Sequence, residues 1–156
     1  FFIFHSNAEH LQKIQTLLNK NDLNNCKVII DEQIKLQVLK SSIFAVAKSG
    51  TISLEICQAK VPSVIIYKMN LINFLIIKML VKVRFANIIN IAADAEIIPE
   101  LLQSRCNSKN IFNVVDKLLN EKKALQKQTS DTLRIINKFR TDKPDELASS
   151  VLINHL

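Results

Sequence analysis

Ala47-Lys48-Ser49-Gly50-Thr51-Ile52-Ser53-Leu54-Glu55 runs from an apolar strand pattern into a helical one. It also holds the sole glycine of the 156-residue chain, where ordinary usage would give roughly eleven. A helix start offers outward-pointing N–H groups and the positive end of the helix dipole, which together suit an anion. Glycine lets a ligand approach the backbone, and Ser49 and Thr51 add hydroxyls. Glu55 lies one turn beyond Thr51, where a carboxylate can accept hydrogen bonds from a diol such as a ribose. The same residues also fit a plain turn, since Ser is a common N-cap and Gly satisfies a steep bend. Both readings stand at this point. The segment is neither GxGxxG nor a Walker loop.

Outward from this stretch, apolar runs alternate with helical patterns. Strands are expected over 1–5, 26–30, 43–47 and 64–67, with a further extended run over 86–91. Helices are expected over 8–19 behind Asn7, from Asp31 onward, from Ser49 to about Lys60, and over 71–81. Strands that are apolar throughout and alternate with helices imply βα units and a parallel sheet covered on both faces. From Pro99 no strand candidate remains, and 99–104, 108–120, 121–140 and 144–154 read as helical. The expected fold is therefore α/β, a Rossmann-like parallel sheet over 1–98 followed by a helical segment of the same domain over 99–156.

Composition narrows the function classes. Hydrophobic residues make up 48% and charged residues 22%, which excludes general disorder. The net charge of +7 favours acidic partners. Cys26, Cys57 and Cys106 form no CxxC pair, so neither a zinc ribbon nor a disulfide framework is expected. His5, His10 and His155 show no metal spacing. The longest apolar stretch, 71–83, is about 13 residues and carries Lys78 and Lys82. That is short of the roughly 20 a spanning helix needs. Its lysines, with Lys60, Lys68 and Arg84 and no acidic residue between, suit an anionic lipid surface or a sheet-covering helix with snorkelling cations. Residues 117–143 hold eight basic and three acidic residues, which a solvated helix face explains. No base-stacking aromatics are interleaved there, so nucleic acid is not expected.

A family resemblance adds to this reading. Ser49-Gly50-Thr51-Ile52-Ser53-Leu54-Glu55, then Ala59-Lys60-Val61-Pro62 and Tyr67-Lys68-Met69, resemble the C-terminal half of bacterial lipid-A-disaccharide synthases. Asn87-Ile88-Ile89-Asn90-Ile91-Ala92 and Pro99-Glu100-Leu101-Leu102-Gln103 continue the match in order. That resemblance implies one half of a GT-B glycosyltransferase, with two Rossmann-like domains facing a cleft. It implies transfer of 2,3-diacylglucosamine, with inversion, from its UDP conjugate to 2,3-diacylglucosamine 1-phosphate, with no metal cofactor. Carried over residue by residue, Ser49, Gly50 and Thr51 approach the diphosphate and Glu55 holds the ribose. Asn90, Glu100 and Gln103 line the cleft near the donor, and Tyr67 and Lys68 neighbour the diphosphate.

The chain also departs from the family pattern. Ile89 stands where proline precedes the asparagine, which leaves Asn90 on a less fixed turn. The family's glycine-serine-arginine segment and its whole acceptor half, with the carboxylate base, have no counterpart in these residues. The resemblance thus implies a donor half, inactive alone, that partners an N-terminal acceptor domain. It implies a cytoplasmic setting peripheral to the inner membrane of a Gram-negative bacterium. Exposed former interfaces lead to an expected homodimer or a loose C-terminal tail. Two other readings are the UDP-binding half of another transferase or epimerase, and a basic module that binds membrane or nucleic acid.

Overall fold

The short apolar runs between helices pair in parallel, as strands joined by helical crossovers must. A computed structural model describes residues 1–4, 8–70, 74 and 84–139. Its order is β1 (Phe2–Phe4), α1 (Ala8–Lys20), β2 (Lys27–Ile29), α2 (Glu32–Ser41), β3 (Ala45–Lys48), α3 (Thr51–Gln58) and β4 (Ser63–Tyr67). There follow α4 (Ile88–Ala93), β5 (Glu100–Leu102), a 3-10 turn (Gln103–Arg105), α5 (Ser108–Asn120) and α6 (Lys122–Phe139). The mixed α/β, Rossmann-like character expected from the alternation is present.

The strands form two parallel sheets rather than one. β1 pairs with β2, and β3, β4 and β5 pair in that order. In the larger sheet Ala47 lies opposite Ile65 and Ile66 opposite Leu101. The core gathers around this sheet: Ala47, Ile56, Cys57, Val61 and Ile65 meet Ile89, Ile98, Ile135 and Ile136. The β1–β2 pair lies outside that cluster. Phe1 and Phe2 are 82% and 50% exposed, so this run is not the buried strand that its composition suggests.

Two expected elements have the opposite conformation. Residues 86–91, rich in β-branched isoleucine, form α4 instead of an extended run, because Asn87 caps the helix by accepting from Ile89 N–H at 2.9 Å. Glu100, Leu101 and Leu102 are good helix formers, yet they form β5. Pairing with the buried strand β4 decides their state, as tertiary context overrides local propensity. The chain after Pro99 is therefore not uniformly helical.

The later helices are docked. α6 packs against α3, α4 and α5, and α5 reaches β4. Through Phe139 the C-terminal helices thus belong to the body of the domain and are no loose tail. Residues 71–73, 75–81 and 144–154, His5, His155 and the cap Asn7, each named in the sequence reading, lie outside the described residues.

Glutamine amides bond the backbone at the start of β4 and two residues beyond its end. Gln128 of α6 accepts from Ser63 N–H at 2.7 Å and donates to Ser63 C=O at 2.9 Å. Gln103 accepts from Met69 N–H at 2.9 Å and donates to Met69 C=O at 3.2 Å. Each amide supplies the donor and acceptor that a neighbouring strand would supply. All three cysteines are free, and burial pushes the Cys57 thiol up to about 11.

Candidate functional site

β3, β4 and β5 end at Lys48, Tyr67 and Leu102, so Ser49, Lys68 and Gln103 share one edge of the sheet. The carboxyl edge of a parallel sheet is where ligands of α/β domains bind. Here the chain turns from β3 into α3 through Gly50, whose φ of +145° is a conformation that side chains rarely adopt. A Cβ built on Gly50 would meet nothing within 4 Å, so the space over the turn is open.

Gly50, not Ser49, is the N-cap of α3, and no side chain caps the helix. The other helices with a described N-cap residue are treated differently. Asp31 accepts from Gln33 and Ile34 N–H on α2, Asn87 from Ile89 N–H on α4, and Asn107 from Asn110 N–H on α5. Ser53 N–H is spent on Gly50 C=O at 3.0 Å, and the lack of a side-chain cap leaves the Thr51 and Ile52 amides, with their share of the dipole, available to an anion. Ser49 serves the turn in another way: its Oγ donates to Ala86 C=O at 2.7 Å and ties the turn to the 84–87 segment. Ser53, buried in the first turn, donates from Oγ to Gly50 C=O at 2.6 Å. Thr51 is exposed beside the turn.

Glu55 sits on the same helix with its side chain 36% exposed. Its Oε2 lies 2.9 Å from Lys35 Nζ on α2. Lys35 also pairs with Glu32. The carboxylates of Glu32 first, and of Glu55 next, raise the Lys35 ammonium above its ordinary range. Lys48 Nζ stands 5.1 Å over the Tyr67 ring, and Lys68 is exposed at the same edge.

Asn90 and Glu100 are placed behind the turn, in the interior. Glu100 is 4% exposed and accepts from Ala86 N–H at 2.8 Å, Asn87 N–H at 2.9 Å and Asn90 Nδ2 at 2.8 Å. Asn90 is fully buried on α4, not on a mobile turn. Its Nδ2 also donates to Ile98 C=O, and its Oδ1 accepts from Ile97 and Ile98 N–H. Every donor and acceptor of that amide is used. Gln103, with φ +50°, spends its amide on Met69. These three residues therefore shape the backbone around the turn, and their own polar groups are bonded within the protein.

Ala86, Asn87 and Lys35 also belong to the site, and the sequence reading did not single them out. Asn87 ahead of an isoleucine run is a legible N-cap signal, whereas the Ala86 carbonyl and the Lys35–Glu55 pair depend on tertiary placement. A cavity of about 500 Å³, lined by Ala92, Ala95, Ile97, Leu118, Lys127 and Arg134 among others, includes Gln128. It lies toward Ser63, at the start of β4 and the opposite edge of the sheet. Among the described residues no cluster of three His, Cys, Asp or Glu could hold a metal ion, and no helix is long and apolar enough to cross a membrane.

Comparison with known proteins bears on this geometry. The family model for lipid-A-disaccharide synthetase matches residues 1–152. A lipid-A-disaccharide synthase of Rickettsia canadensis (strain McKiel) is 37% identical over 159 residues, which cover 96% of this chain and 40% of that protein. One from Rickettsia bellii (strain OSU 85-389) is 31% identical over 150 residues, 94% of this chain and 38% of its own length. One from Rickettsia akari (strain Hartford) is 42% identical over 92 residues, 59% of this chain and 24% of its own. The chain thus spans about two-fifths of the length of the longest-matched of these relatives. It belongs to the lipid-A-disaccharide synthase family.

Proposed function

We propose that this chain is the donor-binding half of a glycosyltransferase of that family, and that the start of α3 seats the UDP of a UDP-2,3-diacylglucosamine donor. The uncapped first turn of α3, under open space at Gly50, is the observation that carries the reading. Diphosphate oxygens accept from the amides at Gly50 and Thr51, with Lys48 and Lys68 adding positive charge at the same edge. Glu55 accepts from the ribose hydroxyls. Ser49 holds the turn against Ala86, and Asn90, Glu100 and Gln103 act through the backbone segments they fix.

The chemistry follows from this placement. A hydroxyl of 2,3-diacylglucosamine 1-phosphate attacks the anomeric carbon, the C1–O bond to the diphosphate breaks, and UDP leaves with the bonding pair. Attack from the face opposite the leaving group inverts the anomeric centre. The helix terminus stabilises negative charge developing on the diphosphate, which is the electrostatic part of the catalysis. Removing the hydroxyl proton requires a base on the acceptor side, so this half binds donor and transfers nothing alone. A setting at a membrane surface follows from the diacyl substrates; the apolar and basic stretch 71–83 that suits such contact lies, but for residue 74, outside the described residues.

Calorimetric titration of the chain with UDP tests the reading. Glu55→Ala is expected to weaken binding by about 1–3 kcal/mol, the worth of a hydrogen bond to a charged group. Equal UDP affinity of the two proteins, or no binding by the folded wild type at millimolar UDP, overturns it.

A further inference from the structure

We propose that Lys35 is a positioning residue for nucleotide recognition, which fixes the Glu55 carboxylate in place for the ribose hydroxyls before the ligand arrives. This inference rests on the ribose role given to Glu55 above. The geometry is specific. Lys35 lies on α2 and Glu55 on α3, twenty residues apart, and they meet with Nζ and Oε2 separated by 2.9 Å. The Lys35 side chain as a whole is 13% exposed, and its ammonium meets a carboxylate from each of the two helices. Oε2 is buried, whereas the Glu55 side chain as a whole is 36% exposed, so the exposed part of the group lies away from Lys35. No described residue bonds to Oε1.

A glutamate on a helix surface samples many rotamers, and fixing it on ligand binding costs conformational entropy. A partner that orders the side chain beforehand lowers that cost. Lys35 is suited to the task because it is itself ordered by a second carboxylate, Glu32, three residues earlier on its own helix. The ammonium is charged at neutral pH, so its pairing with both carboxylates is present there. Lys35 touches no ligand in this scheme and acts through Glu55.

A tether that merely joined α2 to α3 would affect every ligand of the site alike. A tether that aims Glu55 affects only ligands with ribose hydroxyls. The experiment compares UDP with 2′,3′-dideoxy-UDP on the full chain for the wild type, Lys35→Met and Lys35→Arg, with circular dichroism to verify folding. Wild type is expected to prefer UDP. Lys35→Met is expected to lose about two- to ten-fold in UDP affinity with dideoxy-UDP binding unchanged, and Lys35→Arg to recover most of the loss. An undiminished preference for UDP in Lys35→Met overturns the role of Lys35 while the ribose reading stands, as does an equal loss for both ligands. Absence of any preference in the wild type overturns the ribose reading, and this inference with it.

Discussion

Two segments at the carboxyl edge of the larger sheet are built on opposite rules. In the stretch 84–100, Glu100 and Asn90 take up the amides of Ala86, Asn87, Ile97 and Ile98, and almost nothing polar is left over. At the start of α3 the cap is a glycine, and no side chain takes up the first-turn amides. Ser49 Oγ joins the two by its bond to Ala86 C=O. On the proposed function, the hydrogen-bonded segment serves as the frame and the uncapped turn as the receptor. A binding surface has to keep donors unspent, and its neighbour holds it in shape by spending its backbone amides and the Asn90 side chain, with the buried Asn87 Nδ2 left unpaired.

Removing the frame is the largest expected perturbation. Glu100→Ala orphans three donors in the interior and is expected to cost about 3–5 kcal/mol of stability, read from denaturant unfolding. A loss below about 1 kcal/mol would mean that the segment is not framed by this carboxylate. The receptor side is expected to respond less. Gly50→Ala meets no crowding, so its cost is the backbone conformation alone, about 1–3 kcal/mol. UDP affinity falls with it if the turn relaxes away from φ +145°.

The turn at Gly50 was legible in the sequence and the frame behind it was not. A strand pattern running through Ser49-Gly50 into a helix, in a chain otherwise without glycine, marks the turn by backbone necessity. Elsewhere the chain uses Asp22, Lys60 and Asp94 at positive φ, where glycine is usual, which shows how far this composition avoids it. Asn90 and Glu100 read as donor-facing groups because polar residues in a matched motif invite a ligand. Their partners are backbone amides far along the chain, which no spacing rule reveals. β5 was hidden for a related reason: three residues with helical preferences become a strand only by lying beside β4. The division into two sheets was equally hidden, since apolar strands carry no label for their neighbours.

The smallest expected effect lies at the far edge and serves as a control on the comparison. Asp131 accepts from Lys127 at 2.8 Å and faces Arg134, and its carboxyl is held below the ordinary range chiefly by the Lys127 hydrogen bond. A depressed folded pKa contributes stability above the unfolded value, about 4, that is lost as pH falls through the folded value. Because the cations are exposed, Asp131→Asn is expected to cost under about 1 kcal/mol at pH 7 and nothing at pH 2. UDP affinity is expected to be unchanged by it. A change there would mean that the two edges of the sheet are coupled.

Amide shifts in the ¹⁵N-labelled chain during UDP titration read out whether the start of α3 seats the diphosphate. Saturable shifts are expected at Gly50 and Thr51, with Ile97 and Ile98 on the far side of the frame nearly still. Saturating UDP that leaves Gly50 and Thr51 unmoved in a folded sample would contradict that seating.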